Sequence, residues 1–531
     1  MVSASIDVCL DEPVPSDLED WSVRSNPPAA GNSKDGWAEG QNEHLDHEQL
    51  EMQVTMLADF LARLQLTRPE VLRVTKARNV LWRFGKVLRE GSTGRNLYGH
   101  SRMASSIFQF WSHSWHGPVW SKILMLLVVC NGLPAVLLGT VASVATRILI
   151  SPYVGPLPLD RERGLWCMLA GVVVSTLTLL CWQSARRVFL DRICIHQTDP
   201  RLKVEGMLNL AALLKHSRSI LVCWDSTYLR RMWCCVELAA FLKCHPDGQL
   251  IFRPVGWGPC AVAVFLSFAT FLVTPNLLMD NLPSSVWRDQ DWLFALAGGL
   301  MYAFSVGLFM YFTSAAARAH FRAVSAVQKQ LSTFSFNGDT FCHCCSANHV
   351  NRKTGEQMMC DRKAMELCLE HWFGSVAAFD EMMQRKVSEA FDRKVSQCIL
   401  PYTWLIGATA PMLWWAVHSI FRYWHNSWLA FTNFYYLIGW WLGNIPVLAL
   451  LWLRIARRVQ RRRDRRWKEV MLNIACSCLA GLMFAFVRAV ETSSSFLIGI
   501  YGIVVVVSLS LLLDAFVLIC WAPKIGIGRA A

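Results

Sequence analysis

Eight apolar runs, each near the twenty residues that a helix needs to cross a bilayer, constrain this chain more than any other feature. They are Ile123–Ala145, Leu165–Trp182, Trp257–Thr274, Trp292–Thr313, Leu400–Phe421, Phe431–Leu453, Val470–Val487 and Phe496–Trp521. The third is short and holds Pro259, while Pro134 and Pro446 sit inside the first and sixth, where neighbouring helices tolerate a kink. Composition agrees: the chain is 53% hydrophobic, and only 17% of it is charged, below the roughly 25% of soluble domains. An α-helical polytopic membrane protein follows, with the lipid bilayer as its first partner.

Orientation follows from the bias of Lys and Arg toward the cytosolic side. The densest cluster, Arg454 to Arg466, lies between spans six and seven. Placing it in the cytosol puts the basic approach (Arg73, Lys76, Arg78, Arg83, Lys86, Arg89, Arg95, Arg102) and the tail (Lys524, Arg529) on the same face. The opposite loops then carry few positive charges: Arg161 and Arg163, Arg288, and Arg422. Both termini are expected in the cytosol. The net charge of +13 is therefore read as topology. Without interleaved stacking aromatics it does not point to nucleic acid. Nineteen cysteines without a secreted framework are read as reduced thiols.

The chain divides as follows. Residues 1–52 form an acidic tail expected to be disordered, and 53–104 form amphipathic pre-membrane helices. Residues 105–117 hold a candidate strand and loop, and 118–183 are a hairpin of spans one and two. A cytosolic α/β segment (184–256) is followed by spans three and four (257–314). Residues 315–398 carry a Cys/His cluster and a long helix. Spans five and six (399–453), a basic loop (454–469), spans seven and eight (470–521) and a tail (522–531) complete it. The segment Glu48–Arg89 is expected to lie on the membrane surface or to pack on the cytosolic domain. Inside the spans, Asp514, His418 and the flanking Arg488 are the few ionisable groups. A transporter or channel stays open as a reading, with no substrate indicated.

In 184–256 the pattern alternates strand and helix. Val188–Ile195, Ser219–Trp224 and Gln249–Val255 read as buried strands, and Glu205–Lys215 and Tyr228–Leu242 as helices, which implies a small parallel sheet. The stretches VFLDRICIHQ, SRSILVCW and TYLRRMWCCVELAAF, in that order and spacing, resemble the C-terminal half of a TIR domain. The resemblance covers about 70 residues. A first strand is sought in Ser106–Trp115, which makes spans one and two an insertion in a split domain, as in multispan TIR-like proteins of protists. Its implied functions are signalling or interaction through self-association, or cleavage of NAD+. For cleavage it places the catalytic carboxylate on Glu237, with Ser112, His113, Ser114 and Trp224 as nucleotide-binding candidates. A carboxylate beside an N-glycosidic bond stabilises the oxocarbenium character that develops as the bond breaks. Other residues of the Trp-Cys helix, Trp233 and Leu238, read as core. The sheet departs from the family in seeming truncated after three or four strands.

In 315–398, Cys342, Cys345, His349 and Cys360 form a C-x2-C-x3-H-x10-C arrangement, with His343 and Cys344 as spares. Four such ligands suit a closed, structural Zn2+ site. Reduced cysteines packed under the following helix are the other reading. That helix, Asp361–Val395, carries an apolar stripe and is expected to break at Gly374.

Overall fold

The structure is a computed structural model. It describes residues 39–89, 96–150, 165–280, 291–350, 357, 359–396, 402–422, 426–498 and most of 504–515. The tails 1–38 and 516–531 lie outside these residues, and with them most of the disordered segment expected at the start and the end of span eight. The chain is mostly helical and forms two compact units.

The first unit gathers residues 39–119, 185–253 and 327–389 around one sheet. Its strands are β1 (Arg73–Lys76), β2 (Arg102–Met103), β3 (Gln109–His113), β4 (Arg187–Phe189), β5 (Ser219–Trp224) and β6 (Gln249–Pro254). They lie in the order β2-β1-β4-β3-β5-β6. β3 pairs in parallel with β4 (Gln109 opposite Val188) and with β5 (Phe110 opposite Ile220). β1 pairs antiparallel with β4 and β2, so it extends the sheet beyond β4. All side chains of β3 and β5 are buried, as expected of strands covered on both faces.

The local chemistry explains most boundaries. β4 ends at Phe189, and Asp191–Cys194 turns into helix, so the strand expected over Val188–Ile195 is shorter. The helix expected over Glu205–Lys215 is two helices, Pro200–Leu208 and Leu210–Lys215. Asp199 caps the first by accepting from the Arg201 and Leu202 amides, with Pro200 in the first turn. The break falls at the buried Asn209, whose amide group exchanges hydrogen bonds with Thr67. Arg68 adds a two-pronged ion pair to Glu205, the strongest geometry for such pairs. The amphipathic helix sought over Glu48–Arg89 is not continuous: Glu39–Ala62 is helical, but β1 follows before Ala77–Arg89. The first of these helices packs on Asp361–Phe373. Lys363 pairs with Glu51, and the Trp372 indole donates to the Ala62 carbonyl. Of the two placements expected for this segment, packing on the sheet-bearing unit is the one seen for its first helix. The helix after the cysteines stops at Gly374, as the sequence indicates: its φ of +87° is a left-handed helix cap that favours glycine.

The second unit holds the apolar helices. Among the described residues, three are long and apolar enough to cross a membrane: Val119–Leu149, Ser427–Arg458 and Arg466–Val487. Leu165–Cys181 and Trp257–Val273 are shorter apolar helices. The fifth run breaks at Thr409 into Tyr402–Ala408 and Ala410–Arg422. Trp414 is the wedge of this core. Its ring lies against Gly139 and Gly171, where an added Cβ would fall 2.7 Å and 2.4 Å from ring carbons. Its indole donates to Thr140. Close approach over small residues is the usual packing device between helices in lipid. Arg318, fully buried, is held by Glu469, Asn473 and the carbonyls of Val459 and Arg461.

Candidate functional site

In an open parallel sheet, a crevice forms at the carboxyl ends of two neighbouring strands where the strand order reverses. Counted from β3 in chain order, the strands lie second, first, third, fourth, the opening of a flavodoxin-like order whose ligand crevice falls between the first and third. Here that place is between β3 and β5. Ser112 and His113 end β3, Ser114 and Trp115 follow it, and Trp224 and Asp225 close β5.

Glu237 reaches this crevice from the Met232–Cys244 helix. The Ser112 hydroxyl donates to Glu237 Oε2 over 2.5 Å and lies 2.6 Å from the Tyr228 hydroxyl. A serine has one hydroxyl hydrogen. With Glu237 ionised, the chain therefore runs from Tyr228 to Ser112 to Glu237. With Glu237 protonated it can reverse, because Tyr228 also reaches the Cys234 carbonyl at 3.4 Å. Burial pushes the Glu237 carboxyl up to about 8, and nearby Asp191 adds to the rise. The Ser112 hydrogen bond and Arg231 oppose it. Burial likewise raises Asp191, which accepts from the Trp115 indole at 3.1 Å. Burial is also what raises the Tyr228 phenol. The half-buried acid thus has a neutral form near neutral pH.

The nucleotide-binding candidates divide. Ser112 touches the carboxyl, although it is only 1% exposed. His113 is buried edge-on to Trp115, and Ser114 accepts from Thr227 at 2.7 Å. Trp224, at 2% exposure, stacks on Tyr228 and meets Phe252, which places it in the core behind the crevice. The rim is made instead by partly or fully exposed groups: Trp115, His116, Thr227 and Arg231, with Arg231 3.0 Å from His116. In the sequence Asp191 reads only as the close of a strand, and Tyr228 and Arg231 carry no role at the site. Their signal was position, since each follows a buried strand or opens the next helix.

The chain has no match among family models, curated proteins or solved structures. The geometry of the site is therefore the ground for reading it.

A second cluster lies on the loop before Asp361. Cys344, Cys345, His349 and Cys360 place their ligand atoms within 4.8 Å of one another. Three of the expected ligands come together, and the fourth is Cys344 in place of Cys342. The backbone gives the reason. His343–Ser346 is a helical turn, and the His349 amide donates to the Cys344 carbonyl at 2.8 Å, folding the histidine over that turn. Asn348 and His349 take left-handed φ values of +53° and +58° to do so, a conformation that non-glycine residues seldom adopt without a reason. Cys342 lies beside the group, its sulfur 2.9 Å from that of Cys344. A tetrahedral ion with metal–sulfur bonds of about 2.3 Å separates its sulfurs by roughly 3.8 Å. The Cys345 and Cys360 sulfurs stand 3.7 Å apart. Three thiols and an imidazole at this spacing fit a metal ion such as zinc.

Proposed function

We propose that this is a multi-pass membrane protein that presents a split TIR-like domain to the cytosol for signalling by self-association. The observation that carries the reading is the 2.5 Å contact between Ser112 on β3 and Glu237 on the helix after β5. Two apolar helices separate β3 from β4 in the chain, yet the two strands pair in one sheet. That is the arrangement expected if a membrane hairpin interrupts one domain. A two-span hairpin returns the chain to the same side, and the eight-span count with cytosolic termini rests on this parity and on the Lys/Arg bias. The test is association of the full-length protein in nanodiscs. A second copy should be captured through the sheet unit, and Arg231→Glu at the rim should weaken capture several-fold. Monomers at all concentrations would count against it.

A second reading is favoured by the half-buried carboxyl itself. As an NAD+ nucleosidase, Glu237 would face the ribose carbon as its bond to the nicotinamide nitrogen breaks. Nicotinamide leaves with the electron pair, water adds to the carbon, and one proton is released. Only the ionised carboxylate stabilises the developing positive charge, so nicotinamide release should climb with pH until about 8. Glu237→Ala should abolish it. No release from oligomerised wild-type protein in bilayers counts against this reading alone.

The cysteine cluster is assigned to Zn2+ in a structural role. Four protein ligands close the site, which leaves no position for a substrate. Purified protein should carry about one zinc per chain by the four-ligand rule, and Cys360→Ser should lose most of it. Metal content that is near zero and unchanged by the substitution would remove the assignment.

A further inference from the structure

The helix Ser427–Arg458 is interrupted inside its apolar stretch. Residues Gly439–Asn444 form a π-helical segment, with one residue more per turn than its flanks. Such wide turns free backbone groups and are frequent at functional sites. Here the Leu442 carbonyl accepts from the Tyr402 hydroxyl, outside its own helix. The segment also presents two glycines four residues apart to the described helical residues between 504 and 515. A Cβ added to Gly439 would lie 2.4 Å from Val507 Cγ1. A Cβ added to Gly443 would lie 2.4 Å from Asp514 Oδ2 and 3.0 Å from Leu511 Cδ2. Val507, Leu511 and Asp514 share one helical face, and the neighbouring Ser508 hydroxyl lies 2.8 Å from that of Tyr435. The glycine pair is a close-packing seam, and it ends on a carboxylate.

That carboxylate is 5% exposed, and its Oδ2 has no hydrogen-bond partner among the described residues. Asn444, next to Gly443, is equally buried, and its amide nitrogen has none either. A buried carboxylate with an unpartnered oxygen at membrane depth is expensive, and such groups mark ion or proton sites by default. Two chemistries relieve the cost: a bound cation or a proton. The seam favours the smaller. Gly443 brings backbone so close to Oδ2 that not even a methyl group fits between them, whereas a proton adds almost no volume.

We propose that Asp514, seated on Gly443 of the π-helical segment, is an exchangeable intramembrane proton site. The carboxylate takes a proton from water to become the neutral acid and returns it when deprotonated. This site is independent of the sheet unit and of any activity there.

Infrared difference spectroscopy tests it on the full-length protein in nanodiscs, titrated with pH. Wild-type protein should show the carbonyl stretch of a protonated, dehydrated carboxylic acid. The component of the band that Asp514→Asn removes should fall as pH rises and persist when Na+ or K+ is added at fixed pH. The raised carboxyls of the sheet unit, Glu237 and Asp191, contribute equally to both proteins. Absence of that band at every pH overturns the proposal. So does a band whose full intensity survives in Asp514→Asn, or a lost component that no pH changes. Erasure by Na+ or K+ at constant pH overturns it in favour of a cation site. Should Asp514→Asn fail to assemble, Gly443→Ala serves instead. It must push the carboxyl aside and shift the band, and an unshifted band also overturns the proposal.

Discussion

At the scale of single residues, Ser112 is the pivot of the crevice. Among the described residues it bonds both Glu237 and Tyr228. Ser112→Ala takes the serine bond from the half-buried Glu237 and leaves the buried Tyr228 only its long bond to the Cys234 carbonyl. Each such loss costs about 1–3 kcal/mol, and the two share one donor, so a total of about 2–3 kcal/mol is expected from urea unfolding. The carboxyl has a signed pH dependence of its own. Its folded-state value, about 8, stands above the ordinary 4.5. The folded protein therefore holds more protons than the unfolded chain between those values, and stability falls as pH rises through that window. Glu237→Gln removes the slope. The variant and the wild type should match near the bottom of the window. Above it the variant should be more stable, by on the order of 1 kcal/mol once solvent screening of a half-buried group is allowed for. Thermal melts at both ends of the window check this, and equal slopes in the two proteins would show that Glu237 titrates normally.

Among the elements, the staple that Arg318 makes from within the Asp291–Ser332 helix separates two costs that are often merged. Arg318 is wholly buried, whereas the side chain of Glu469 keeps 21% exposure and also reaches Arg322 at 3.3 Å. Removing the acid strands a buried cation. Removing the cation leaves an acid that still has Arg322 and water. Glu469→Ala should therefore destabilise the helical unit by about 3–5 kcal/mol, and Arg318→Met by less. The opposite ranking in denaturant midpoints would mean that the arginine's bonds to the Val459 and Arg461 carbonyls outweigh the charge. The elements also show where sequence was a sufficient guide. Ser219–Trp224 is legible because six consecutive residues are buried on both faces, and the Gly374 stop because a left-handed cap favours one residue type. β1 was not legible: four residues, RVTK, give too short an alternation to compete with the helical pattern around them. The break at Asn209 was hidden for a different reason, since its partner Thr67 lies 142 residues away.

At the scale of the whole molecule, legibility follows the range of the interaction. Apolar length is a local property, so the long spans could be read directly. Sheet order is not local, yet pairing Ser112 with Glu237 across 125 residues was within reach, because a sheet of this type leaves few places for a first strand. The choice of Cys344 over Cys342 was beyond reach, because a two-residue shift of one ligand depends on backbone angles at Asn348 and His349. The same division governs how the chain should unfold. Its residues fall into two compact units, each assembled from separated stretches of sequence. One is held by a sheet and a hydrophobic core with water as its reference state. The other is rich in apolar helices whose backbone bonds are satisfied within each helix and gain little from leaving lipid. Urea, which acts through surface newly exposed to water, should weaken the first far more than the second. Titration in nanodiscs should therefore show two transitions. Ser112→Ala should shift only the earlier one, and Glu469→Ala only the later. A single transition moved by both substitutions would mean that the two units fold as one, despite their separate cores.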